Sequence, residues 1–167
     1  MTAIRPATLE DLPRLHPVVE RAYRGDSARQ GWTHEADLVS GDRTDIETLT
    51  GLLDGHSRLL IALDGDKVLG CVNIAYRGDR LAYLGLLCVD PRLQTAGIGK
   101  QLLQAAEIAA RDAFGADRIE MTVIDRRVEL IAWYQRHGYA PSGETRAFPV
   151  PLDPPLSMTV LVKHLPI

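Results

Sequence analysis

Apolar residues recur along this chain with two different periods, and the switches between them mark the elements. Leu12, Leu15, Val19 and Ala22 share one helical face after a capping-box-like start at Thr8 and Asp11, predicting a helix that ends near Arg24-Gly25. Thr2 to Arg5, before it, is short enough for an edge strand. Residues 25–45 are polar and punctuated by glycine. Helical spacing then resumes at Ile46, Leu49, Leu52 and Leu53 and stops at Asp54-Gly55.

Strand patterns follow. Arg58 to Leu63 and Val68 to Tyr76 flank a tight turn at Asp64-Gly65-Asp66. The run Leu81 to Val89 is apolar on both faces, which predicts a central strand, and Asp90-Pro91 ends it. From Gly97 to Phe114 the stripe Leu102, Leu103, Ala106, Ala110 and Phe114 predicts a long amphipathic helix closed by Gly115. Ile119, Met121 and Val123 alternate in a strand over 118–124, and a helix from Val128 to His137 is closed by Gly138. A short strand begins at Tyr139, a Pro-rich loop runs from Ser142 to Pro155, and Ser157 to Leu165 is the last strand. This order predicts an α/β fold with antiparallel hairpins and one parallel crossover through the 97–114 helix.

Composition narrows the function classes. A chain of 167 residues, 46% hydrophobic and 25% charged, suits a single domain spanning 1–167 with a sizeable core. The net charge of -3 and the scattered arginines argue against nucleic acid as a main ligand. Cys71 and Cys88 each sit in a strand-like run without metal-ligand spacing to the five histidines, so buried thiols and no metal site are expected. No apolar h-region opens the chain and no apolar stretch approaches ~18 residues, so a cytoplasmic protein without a membrane span is expected.

The chemistry concentrates between Leu87 and Leu103, where a buried strand ends, a loop follows, and Gly97 and Gly99 open the long helix. Glycine lets successive amides face a concavity, and a helix N-terminus adds unpaired N–H groups and the positive end of its dipole. A phosphate or pyrophosphate cradle is the reading. A Walker loop fails, since position 94 is glutamine and Lys100 is followed by Gln101; a dinucleotide fingerprint fails at Leu102.

The pattern Gln94-x-x-Gly97-x-Gly99, after a Val-Asp-Pro strand ending and before a Leu-Leu pair, resembles the pyrophosphate loop of the GNAT superfamily of N-acetyltransferases. Trp133-Tyr134 followed by Gly138-Tyr139 is similar to a second signature of that family. The resemblance implies a mixed, mostly antiparallel sheet, splayed at the cofactor site and flanked by helices. It implies acetyl-CoA held by Gln94, Thr95, Ala96, Gly97, Ile98, Gly99 and Lys100, with pantetheine along the main chain of Leu87, Cys88 and Val89. It further implies that Tyr134 protonates the departing thiolate, while the position where many members carry asparagine is Arg127, open to reaching the cofactor or acceptor but read first as a solvated surface arginine.

On this reading the protein moves an acetyl group directly to a primary amine, most simply of a small molecule. A sensor that binds acyl-CoA without turnover, and a protein or peptide N-acetyltransferase, stand as alternatives. Glu120, Asp125, Glu35 and Asp37 are candidate bases, none preferred, and Cys88 is core rather than nucleophile. The acceptor pocket is expected from 25–45 and 142–156, where an acid excess suits a cationic amine and Arg43 or Arg146 suits a carboxylate. Homodimers are common in the class, and no residue here demands one.

Overall fold

A computed structural model describes residues 2–24, 43–93, 97–149, 152 and 154–166. Seven strands form one sheet: β1 (Ala3–Pro6), β2 (Ser57–Asp64), β3 (Lys67–Gly78), β4 (Leu81–Val89), β5 (Arg118–Ile124), β6 (Ala140–Ala147) and β7 (Ser157–His164), in the spatial order β1-β2-β3-β4-β5-β7-β6. The helices are α1 (Leu12–Tyr23), α2 (Ile46–Gly51), α3 (Ile98–Phe114) and α4 (Val128–Arg136). All strand pairs are antiparallel except β4 with β5, which are joined through α3. Among the described residues the expected element order is observed.

Each helical stripe covers one face of the sheet. Leu102, Leu103, Ala106 and Ala110 of α3 pack with Val72, Ile74, Leu84, Ile119 and Met121. Leu12, Leu15, Val18 and Val19 of α1 pack with Leu59, Ile61, Cys71 and Cys88 on the opposite face. Two glycines stop their helices as the sequence indicates. Gly115 (φ 63°) follows α3, where the Ala116 N–H reaches the Ala110 carbonyl at 3.0 Å; Gly138 (φ 96°) follows α4, where the Tyr139 N–H reaches that of Tyr134 at 3.1 Å.

The Ser142–Pro155 loop expectation needs correction, because β6 continues to Ala147. Its register against β7 shifts between Pro141 and Thr145, with Gly143 at φ 91° inside the shift. Proline and glycine there look like loop signals, but an edge strand needs no inner ladder from every N–H, and a bulge absorbs both. Pairing with β7, remote in sequence, decides the matter.

The two central strands do not stay together. The β4–β5 ladder holds only Leu81, Ala82 and Tyr83 against Arg118, Ile119 and Glu120. β4 then runs on to Val89 and β5 to Ile124 without pairing, so their C-terminal halves diverge. The separation is part of the fold that positions the site.

Candidate active site

The unpaired end of β4, the start of α3, the α4 segment and the end of α1 enclose a cavity of about 130 Å³. Leu87, Cys88 and Val89 line it from β4; Gly97, Gly99 and Lys100 from the start of α3; Arg127, Leu130, Trp133 and Tyr134 from the α4 segment; Ala22 and Tyr23 from α1. Seven of the ten residues expected to bind cofactor are described, and six line this cavity. The seventh, Ile98, is 3% exposed and packs in the α3 core, so only its main chain is available. Gln94, Thr95 and Ala96 lie outside the described residues.

Local chemistry explains the α3 end of the cavity. Gly97 caps the helix at φ 77°, where a side chain is strained, and as a glycine it brings no side-chain acceptor of its own. The first main-chain bond of α3 runs from the Gln101 N–H to the Gly97 carbonyl at 3.2 Å, so preceding N–H groups have no acceptor in the helix. Space beside Gly97 is open, whereas a Cβ on Gly99 would lie 3.8 Å from the Trp133 ring and 3.7 Å from Val89. Glycine at 97 serves conformation, whereas a Cβ at 99 would make only ordinary van der Waals contact with α4 and β4.

The strand leading in is anchored by Asp90, 1% exposed, whose carboxylate accepts from Arg92 at 2.8 and 3.0 Å and from Arg21 at 3.0 Å. Hydrogen bonding from Arg92, with Arg21 adding to it, holds this carboxyl well below the usual range despite burial.

Tyr134 is 5% exposed, with its ring edge-on to Trp133 (centroids 5.1 Å apart) and Tyr139 (5.8 Å). Tyr139 is itself pinned, donating to Glu107 at 2.9 Å, while Lys163 also reaches Glu107 at 3.1 Å. Burial pushes the Tyr134 phenol well up, against the pull of the nearby Arg127 charge. The hydroxyl therefore stays protonated where an ordinary phenol would begin to ionise.

Several expectations change. Arg127 is half-buried and faces the cavity instead of being solvated. Glu120 is tied to Arg146 at 3.1 Å, and neither Glu120 nor Asp125 lines the cavities of the cleft. Glu35 and Asp37 fall outside the described residues, as does the rest of 25–42. Cys88 and Cys71 are free, buried and 3.7 Å apart between sulfurs, in keeping with a core role.

Tyr23 was not legible in the sequence as a site residue. It ends α1, donates to the Leu87 carbonyl at 2.7 Å, and lines both this cavity and a second of about 450 Å³ that shares Leu87, Arg127, Leu130 and Tyr134. Nothing in its local pattern separates it from an ordinary helical aromatic.

The acetyltransferase (GNAT) family model matches residues 15–139, most of the chain and all of this cavity. The chain belongs to the GNAT acetyltransferase family. It is accordingly an acyltransferase, and its splayed sheet is the family fold. The structure is similar to the ribosomal-protein-S18-alanine N-acetyltransferase from Escherichia coli (TM-score 0.77, 15% identity, 100% of this chain and 96% of that one). A second similar structure is the PaiA N-acetyltransferase from Thermoplasma acidophilum in complex with coenzyme A (0.73, 19% identity, 98% and 99%). A third is a spermidine N-acetyltransferase SpeG chimera from Vibrio cholerae and hSSAT (0.73, 13% identity, 98% and 95%). Among curated proteins none matches the sequence significantly. No helix among the described residues of this GNAT protein is long and apolar enough to cross a membrane.

Proposed function

We propose that this GNAT protein transfers an acetyl group from acetyl-CoA directly to a primary amine of a small molecule, both substrates being bound together. One observation carries the reading: the Gly97 end of α3, the Leu87–Val89 edge of β4 and the Tyr134 hydroxyl-bearing ring converge on one cavity. Each supplies what a thioester donor needs. The N–H groups that open α3, which have no acceptor within the helix, suit a pyrophosphate with Lys100 beside them. The unpaired β4 edge suits the amide-bearing arm, as an added strand would. Gln94, Thr95 and Ala96 extend the same loop in sequence and belong to this proposal.

The reaction balances without a covalent enzyme intermediate. The amine nitrogen bonds to the acetyl carbon as the carbon–sulfur bond breaks. Tyr134 gives its proton to the sulfur and is refilled by the proton the amine loses. A phenol whose pKa is raised by burial still serves here, because the same desolvation disfavours a thiolate.

The test combines turnover and binding. With acetyl-CoA and a panel of amines, the expected result is free thiol released in step with N-acetylated product. Binding without release for every acceptor would mark a sensor and overturn the proposal. Gly97→Glu should abolish acetyl-CoA binding in calorimetry, since it places a carboxylate and a strained backbone at the helix start.

A further inference from the structure

Two thiols that the transfer reaction leaves unused meet at the edge of the coenzyme cavity. Cys71 of β3 and Cys88 of β4 are direct partners in the antiparallel ladder, and their sulfurs lie 3.7 Å apart. Partners in such a ladder have Cα atoms about 4.5–5.5 Å apart, inside the span of about 4.4–6.8 Å that a disulfide bridges. Both side chains pack on the α1 face of the sheet, so closing the gap asks for side-chain rotation rather than a new register.

The two differ in access. Cys71 is fully buried, whereas Cys88 lines the cavity that also holds Tyr134 and the rest of the Leu87–Val89 edge. Burial is the main reason the phenols of Tyr134 and Tyr23 are raised, and Cys88 adds to both. Its sulfur therefore lies within electrostatic reach of the hydroxyl proposed to protonate the leaving sulfur. Cys71 has a second task. Its thiol donates to the Leu86 carbonyl at 3.4 Å, inside the irregular stretch where Leu86 adopts φ 54°. Oxidation of the pair consumes that donor and ties residue 88 to β3, so it acts on the main-chain edge of β4 itself.

We infer that Cys88 and Cys71 are a modification site for mixed disulfides of coenzyme A, and that the Cys71–Cys88 disulfide they leave behind weakens acetyl-CoA binding. The inference rests on the coenzyme reading of this cavity. A disulfide bearing the coenzyme arm places its sulfurs where the thioester would stand, and the second cavity, which shares Leu87 and Tyr134, gives room to the other arm. The Cys88 thiolate bonds to the coenzyme sulfur as the other thiol leaves with the Cys88 proton. Cys71 then bonds to the Cys88 sulfur, and coenzyme A leaves as its thiol with the Cys71 proton. The protein gives up two electrons and two protons, and the small disulfide becomes two thiols. The hydrogen bond with Cys88, ahead of burial, pushes the Cys71 thiol up, and that hold weakens once Cys88 carries the coenzyme, which favours the second step.

The experiment incubates the reduced full-length protein with the mixed disulfide of coenzyme A and glutathione, or with glutathione disulfide at the same concentration. Intact mass and peptide mapping follow the thiols. The expected product is the linked Cys71–Cys88 peptide pair, formed about tenfold faster with the coenzyme-bearing disulfide than with glutathione disulfide, and slowed by excess acetyl-CoA. Cys71→Ala should stop at an adduct of one coenzyme A; if it does not fold by thermal melt, peptide mapping of the wild-type protein decides alone. Calorimetry should show severalfold weaker acetyl-CoA binding after oxidation, restored by dithiothreitol. Equal rates with the two disulfides, failure of the linked pair to form, or undiminished acetyl-CoA affinity in the oxidised protein each overturn the inference. Where the reduced protein still binds acetyl-CoA, those results leave the coenzyme reading standing. A reduced protein that does not bind acetyl-CoA removes the coenzyme reading and this inference together.

Discussion

The hydroxyl of Tyr23 donates a 2.7 Å hydrogen bond to the main-chain carbonyl of Leu87, joining the end of α1 to an irregular stretch of β4. Cys88 pairs with Cys71 but Gly85 pairs with Asn73, so β4 carries one residue more than β3 across this stretch, and Leu86 adopts φ 54° within it. A bulge re-aims the strand, and the tyrosine ties the residue next to it. Tyr23→Phe should lower stability by about 1 kcal/mol, a fall in Tm of roughly 2–4 °C for a protein of this size. It should also reduce kcat/KM for acetyl-CoA severalfold, because the carbonyl edge loses its tether. Unaltered kinetics with a lowered Tm would leave Tyr23 a purely structural residue.

Gly70 pairs with Val89 where β3 runs close against the backbone of β4. A Cβ there would sit 2.2 Å from the Cys88 carbonyl oxygen and 3.0 Å from the Val89 Cα, both backbone atoms. Gly70→Ala should therefore force the strands apart, with a loss of about 1–3 kcal/mol in chemical denaturation. Acetyl-CoA affinity should fall as well, since the displaced residues line the cavity. Full stability in the variant contradicts the close approach.

Tyr134→Phe should lower kcat about a hundredfold while the KM for acetyl-CoA changes little, as expected for a group needed only when the sulfur leaves. Because burial raises the Tyr134 phenol, wild-type kcat should not decline through about pH 10, where an ordinary phenol ionises. An alkaline decline near that pH, missing in the phenylalanine variant, would contradict this direction; equal kcat in the two proteins removes the acid role.

Asp90→Asn tests the anchor of the loop. Its carboxyl is held below the normal range, so its contribution to stability is complete above the unfolded pKa of about 3.9 and is lost as pH falls through the folded value. The variant should be less stable than wild type by about 1–3 kcal/mol at neutral pH, and the gap should narrow below about pH 4. Urea melts at both ends of that range measure it. A gap that widens on acidification would place the ion pairs with Arg92 and Arg21 outside the stability of the fold.

Local order was readable because it depends on neighbours in the chain. The stripe from Leu102 to Ala110, the stops at Gly115 and Gly138, and the glycines that open α3 are determined by side-chain period and by backbone freedom. The same holds for Tyr134, placed by a helix whose periodicity is plain. The separation of β4 from β5 after Tyr83 was expected only through family resemblance, since no run of residues encodes where a ladder between remote segments ends. The strand from Ser142 to Ala147 shows the reverse error: its polar, glycine-containing sequence reads as loop until β7 supplies a partner. Tyr23 and Arg127 became cavity-lining residues only when the end of α1 and the start of α4 met over the sheet. Short-range periodicity thus determined the elements and the glycine-marked helix start. Long-range pairing decided which charges face the cleft, because burial and field at a point depend on every element packed around it.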